Sequence, residues 1–235
     1  MPRALLSEAA RLDTLIDQHG AALRTWRDTV LARLDALTQD LDQARQDAMP
    51  VVLAMAEMLE GRDNTTYGHS RKVAMVSSGI AEAMGWSPER TRLLRMAGLL
   101  HDIGKIIIPD AILHKEGKYT EFEFETMKLH SSTGGRILHR LGMLGAEAEL
   151  WVLHHQERWD GTGYPDGLTG TEIPMGARIM ALADAYEAMT SYRRYRQALP
   201  HWVVLDELGH VAGKQFDPDV VRVFQEHFPQ PITFD

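Results

Sequence analysis

Cysteine is absent from the 235 residues. That one gap excludes disulfides, zinc fingers, other thiolate metal sites and cysteine nucleophiles together. A chain without thiols also fits a reducing compartment, so a cytoplasmic location is the expectation. No apolar run approaches the roughly 18 residues of a membrane-spanning helix, and the start, Met1-Pro2-Arg3, lacks the apolar core of a signal peptide. No membrane partner is expected. Positive charge is in short supply, with Lys and Arg totalling 25 against 33 Asp and Glu, a net charge of -8. A DNA or RNA polymer is therefore not the expected partner, because phosphate-backbone binding needs a basic surface. A small phosphate ligand needs only a local basic pocket and is still allowed. The 44% hydrophobic and 25% charged composition is that of a globular chain, with length enough for one domain and an appendage. Histidine, at 11 residues, is the unusual abundance, and without cysteine these are the natural transition-metal ligands.

Proline is missing from residues 3–48, and Gly20 is the only glycine there. Through this segment Leu12, Ile16, His19, Leu23, Trp26, Val30, Leu34, Leu37, Leu41, Ala44, Ala48 and Val51 recur in steps of 4 and 3. That is a heptad seam with one stutter after Val30. It predicts a long helix over 1–48 that pairs two chains as a coiled coil. A lone helix packed on the domain behind it is the plainer alternative.

The rest, 49–235, reads as one domain of successive helices. Pro50 suits the first turn of a helix over 51–60, and a helix over 67–84 closes at Gly85. Ser87-Pro88-Glu89 is a helix start, and Thr120 with Glu123 forms a capping box before 124–139. Further helices are predicted near 146–155, 175–192, 200–212 and 218–228. The run Ile106-Ile107-Ile108 is too short for a convincing strand and ends at Pro109. The predicted fold class is all-α.

Charged and imidazole side chains sit at odd places in this pattern. His101-Asp102 follows the apolar run Leu93, Leu94, Met96, Leu99, Leu100; Asp184 interrupts Ile179–Ala183; His69, His130 and His154-His155 have similar settings. A lone buried histidine is usually a hydrogen-bonded core residue. Several on separate helices of one domain point instead to a metal centre, since buried charge is costly unless paired or coordinated. Imidazole and carboxylate without thiolate suit iron, manganese, zinc, cobalt or nickel. Asp102, with two oxygens, could bridge two ions, the usual clamp for displacement at a phosphate.

The motifs His101-Asp102-Ile103-Gly104-Lys105 and Gly163-Tyr164-Pro165 resemble the HD-GYP family of the HD phosphohydrolase superfamily. Trp159–Leu168, Ala183-Asp184-Ala185-Tyr186 and Phe216-Asp217-Pro218 extend the likeness over roughly 50–228. The resemblance implies an HD-type helical bundle and hydrolysis of the bacterial messenger cyclic di-GMP, or a related cyclic dinucleotide, at a centre of two or three metals. It implies that His69, His101, Asp102 and Asp184 hold one metal, and that Asp102 bridges to a second held by His130 and His155. Lys105 would stand beside the phosphate, Tyr164 beside the ligand, and Asp63, Arg193 and Arg196 on the nucleotide. Metals of this kind activate a water as nucleophile, with iron or manganese the expected pair.

Two departures matter. Three-metal members carry Glu four residues before the first His, where this chain has Thr65, so two ions are expected, with linear pGpG as product and the step on to GMP left open. The usual His-His-Glu run is His154-His155-Gln156-Glu157 here, so either Gln156 or His154 completes the second metal's ligands. A weakly active or inactive receptor for cyclic di-GMP, or a docking module, is the alternative function. Control by a separate upstream signalling protein is a further expectation.

Overall fold

Helix ends in this protein are written in local chemistry. The computed structural model describes residues 2–62, 68–192 and 197–233; for 2–19, 23, 24 and 27 only the helical backbone is described. Helix α1 runs from Pro2 to Arg62. It is followed by α2 (His69–Ala83), α3 (Pro88–Leu100), a 3₁₀ turn (Ile103–Ile107), the short α4 (Asp110–Leu113), α5 (Glu121–Leu141) and α6 (Ala146–Leu153). A second 3₁₀ turn (Gly170–Glu172), α7 (Met175–Thr190), α8 (His201–Val211) and α9 (Pro218–His227) complete the order. Among the described residues there is no strand, only the isolated bridges Asp160–Thr169 and Ala212–Phe216. The all-α expectation is met.

The caps explain the boundaries. Ser87 Oγ accepts from the Arg90 amide at 3.3 Å, with Pro88 at the first helical position. Thr120 Oγ1 accepts from the Glu123 amide, and Glu123 Oε2 accepts from the Thr120 amide at 2.7 Å, the reciprocal box read from the sequence. Helix α5 then ends at Gly142, whose φ of 59° a side chain would strain.

Two compact units divide the chain, Met1–Ala48 and Met49–Asp235. In the first, Trp26, Leu34, Leu37 and Leu41 of the heptad seam are exposed on the single chain; the side chains of Leu12, Ile16, His19 and Leu23 lie outside the described residues. The second unit has one main core, in which Ile80, Leu94, Leu100, Trp151, Ile179, Leu182, Tyr186 and Phe224 are fully buried. Each such side chain contributes about 1.5–3 kcal/mol by leaving water. Helix α2 packs on α3 and α7, and α5 packs on the first 3₁₀ turn and α6. These contacts bring the ends of α3 and α6, the start of α2 and the middles of α5 and α7 to one place.

Pro50 does not open a new helix, because α1 continues through it. The lost amide would have bonded the Gln46 carbonyl; both residues are exposed, so water can take the vacated acceptor. The 3₁₀ turn and α4 also lie where no helix is predicted. Their short isoleucine-rich sequence has no helical period and is held by packing on α5.

Candidate metal centre

Four histidines in or just past four helices turn their Nε2 atoms toward Asp102 or one another. His69 is the first residue of α2, His101 follows α3, His130 is inside α5, and His155 lies just past α6. All four are buried. The Nδ1 atoms of His101, His130 and His155 each lie 2.7 Å from a backbone carbonyl three residues earlier, those of Gly98, Met127 and Val152. A carbonyl only accepts, so each Nδ1 carries the proton. In the neutral ring Nε2 is then left as a lone pair.

Asp102 stands between these rings. Its Oδ2 is 3.3 Å from His101 Nε2 and 3.9 Å from His69 Nε2, while Oδ1 is 3.7 Å from His130 Nε2. Lys105 Nζ approaches Oδ2 at 2.8 Å, and Asp184 Oδ1 lies 3.4 Å from His69 Nε2. Two groups with metal-holding spacing result, His69-His101-Asp102 and Asp102-His130-His155, and they share Asp102. The sequence-read residues His69, His101, Asp102, Lys105, His130, His155 and Asp184 are thus together.

The donor set fits cations. His101 Nε2 is buried without a hydrogen-bond partner. The Nε2 atoms of His130 and His155 face each other at 3.3 Å, where two lone pairs repel unless a positive charge lies against both. Burial and the neighbouring imidazoles push His155 down to about 3, and burial lowers His130, so both rings favour the neutral form at pH 7. Burial also opposes charge on His101, but Asp102 and Asp184 outweigh it and raise the ring to about 9. A place that stabilises a proton this strongly is also electrostatically suited to a metal cation. Asp102 is held far below the ordinary carboxylate range; burial opposes this, and Lys105 and His101 override it.

His154 goes elsewhere. Its Nδ1 bonds the Leu150 carbonyl at 2.9 Å and its Nε2 meets Asp166 Oδ2 at 2.9 Å. Gln156 lines the cavities on both sides of the centre, and its backbone carbonyl accepts from the Tyr164 amide at 3.2 Å. Glu157 Oε1 accepts from the Asp166 and Gly167 amides and so holds the loop that carries Tyr164. Gly163 is required there, since a Cβ would lie 2.3 Å from the Arg158 nitrogen. Burial, with the Asp102 and Asp184 charges, raises the Tyr164 phenol, which keeps its proton as a donor. Asp63, Thr65, Arg193 and Arg196 lie outside the described residues.

Sequence reasoning missed Glu187, one turn after Asp184 on α7. Its Oε2 accepts from His69 Nδ1 at 2.6 Å, and its Oε1 accepts from Ser191 at 2.5 Å. The i, i+3 spacing from Asp184 was the available signal. Burial would raise this carboxyl, yet the His69 and Ser191 hydrogen bonds and the Lys72 charge hold it down to about 2. A folded-state value below the ordinary 4.5 stabilises the fold above that pH, and the contribution is lost as pH falls toward 2. Glu187→Gln is expected to flatten this acid limb of the unfolding profile and to weaken metal binding about 10–100-fold. Acid titration followed by circular dichroism, with metal competition by a chelator dye, checks both.

A sequence model for the family described as "HD domain" matches residues 53–220, a range that contains every residue of this cluster. The chain belongs to the HD domain family. This agrees with the HD-GYP resemblance carried by its motifs. The chain is 42% identical over 194 residues to a cyclic di-GMP phosphodiesterase of Thermotoga maritima, covering 81% of this chain and 52% of that protein. It is 36% identical over 224 residues to the cyclic di-GMP phosphodiesterase response regulator RpfG of Xanthomonas campestris, covering 94% and 57%. A 3'3'-cGAMP-specific phosphodiesterase of Vibrio cholerae is 34% identical, over 80% of this chain and 36% of that one. The chain spans about half the length of the first two of these curated relatives. The crystal structure of a cyclic GMP-AMP-specific phosphodiesterase of V. cholerae, V-cGAP3, superposes with a TM-score of 0.61 at 16% identity, over 78% of this chain and 49% of that one, a likeness of fold. No helix among the described residues is long and apolar enough to cross a membrane.

Proposed function

We propose that this HD domain is a phosphodiesterase that opens cyclic di-GMP to linear pGpG at a centre of two divalent ions, iron or manganese. The observation that carries the reading is the pair of buried histidine groups sharing Asp102, with Nε2 lone pairs converging on two adjoining points. His69, His101, Asp102 and Asp184 would surround one ion; Asp102, His130, His155 and Gln156 would surround the other. The Nε2 of His154 is engaged by Asp166, which favours the Gln156 amide oxygen as the remaining ligand. When bound, such a pair supplies Lewis-acid polarisation of the phosphate and a water acidic enough to attack near neutral pH. The chain's own contributions follow from its geometry. Glu187 and the three carbonyls fix which ring nitrogen faces inward. Lys105 places an ammonium beside Asp102, where charge grows on the phosphate. Tyr164 offers a phenol proton at the cavity wall. Asp63, Arg193 and Arg196 are assigned to the nucleotide by resemblance alone.

The test is anaerobic purification, elemental analysis, and chromatography of products after incubation with cyclic di-GMP and Mn²⁺ or Fe²⁺. About two ions per chain with pGpG appearing is the expected result. Bound dinucleotide without turnover under every metal tried would make the domain a receptor. In the same assay Gln156→His should tighten the second ion; weaker binding would return the ligand role to His154.

We further propose that residues 1–48 join two copies. Leu34, Leu37 and Leu41 keep the 4-3 spacing of a self-pairing seam and are exposed on the single chain. Leu37→Glu with Leu41→Glu should convert a sedimenting dimer to a monomer. A wild-type monomer at micromolar concentration would end the idea.

A further inference from the structure

We propose that Lys128 and Phe124 form a second subsite, which takes the phosphate and purine of the dinucleotide half that is not being cleaved. The proposal rests on the phosphodiesterase reading above. Two cavities are lined by residues of the centre. One, of about 270 Å³, is lined by His69, Asp102, Lys105 and His130. The other, of about 420 Å³, is lined by Phe124, Lys128, His155 and Tyr164. Gln156 and Asp184 border both. Together they match the roughly 300–1,000 Å³ of small-molecule pockets.

A cyclic dinucleotide carries two phosphates in one ring, so with one phosphate at the centre beside Lys105 the neighbouring cavity is available to the other. There Lys128 supplies the cation. Its Nζ is 4.8 Å from the Phe124 ring centroid and 5.8 Å from that of Tyr164. Its ion pair with Glu125 is solvent-exposed on the acidic side and weakly held. Phe124 stands one turn before Lys128 on α5, is 45% exposed, and meets Tyr164 edge-on at 6.3 Å. An exposed aromatic face beside an ammonium is a stacking platform for a base attached to a phosphate. Neither residue touches the reacting phosphate in this arrangement. Their effect is on binding and on the choice of a dinucleotide over a smaller diester.

The experiment compares wild type with Lys128→Met in the full chain loaded with Mn²⁺, on cyclic di-GMP and on bis(p-nitrophenyl) phosphate, which has one phosphate and no purine. Equilibrium dialysis of radiolabelled cyclic di-GMP gives Kd separately, with metal and after chelation. We expect KM and Kd for the dinucleotide to rise about tenfold, the size of one lost charge-assisted hydrogen bond, with kcat within about threefold. Selectivity for the dinucleotide over the small diester falls by the same factor, Lys128→Arg restores most of it, and Phe124→Trp retains affinity that Phe124→Ala loses. Unchanged KM and Kd, or equal losses on both substrates, would overturn the subsite. A wild-type chain that cleaves the small diester but neither binds nor cleaves cyclic di-GMP would instead overturn the dinucleotide reading, and the subsite with it. If wild type binds without turnover, the Kd comparison still decides.

Discussion

Asp102→Ala should leave the purified chain nearly free of transition metal and lower phosphodiester hydrolysis by about three orders of magnitude. Asp102 is the only residue common to both histidine groups, with Oδ2 toward His101 and Oδ1 toward His130. In the proposed two-ion centre its removal would take a ligand from each ion at once, and it takes from Lys105 the carboxylate at 2.8 Å. Loss of one terminal ligand, as in His130→Ala, should empty chiefly one position. Elemental analysis beside circular dichroism separates metal loss from unfolding. A folded Asp102→Ala chain that keeps two ions would reject the shared-carboxylate arrangement.

The second large effect concerns a residue without a side chain. A Cβ on Gly104 would lie 1.9 Å from the His130 carbonyl oxygen and 2.5 Å from the Gly134 nitrogen. Both obstacles are backbone and cannot swing aside, so the 3₁₀ turn must lift from α5. Gly104→Ala should cost about 3 kcal/mol, the upper part of the range for overpacking. For a unit of this size that lowers Tm by on the order of 6–12 °C. Because the obstructing carbonyl belongs to His130, which the proposed centre uses as a ligand, metal affinity should fall as well. Gly61→Ala is the control, since nothing lies within 4 Å of its Cβ. Scanning calorimetry of the metal-free chains decides, and equal midpoints for the two variants would refute the packing argument.

Local chemistry was the most legible part of the sequence. Ser87-Pro88 and the Thr120–Glu123 box satisfy amides within a few residues of themselves, so they can be read without knowing the fold. The cluster of buried histidines and carboxylates was legible because a charge at the end of an apolar helix is costly unless something pairs with it or coordinates it. What escaped depends on contacts distant along the chain. Glu187 gains its role only when α7 lies against α2, where it meets His69. The turn at Ile103–Ile107 has no helical period and takes its shape from α5. Pro50 violates a propensity rule where solvent makes the violation tolerable. The choice between His154 and Gln156 was open because spacing says nothing of which way adjacent side chains leave the end of a helix.

That last turn joins two parts of the molecule that would otherwise be independent. His155 faces the centre while its neighbour His154 grips Asp166, and Glu157 grips the amides of Asp166 and Gly167. Four consecutive residues, 154–157, therefore hold both the candidate metal centre and the loop bearing Tyr164. Such a junction carries a coupling free energy, and coupling is reciprocal: whatever factor metal adds to the order of the loop, an ordered loop returns to the retention of metal. Substitutions on the two sides of this turn should accordingly be non-additive, and a double-mutant cycle across it would measure how firmly the histidine cluster and the Tyr164 loop are geared together.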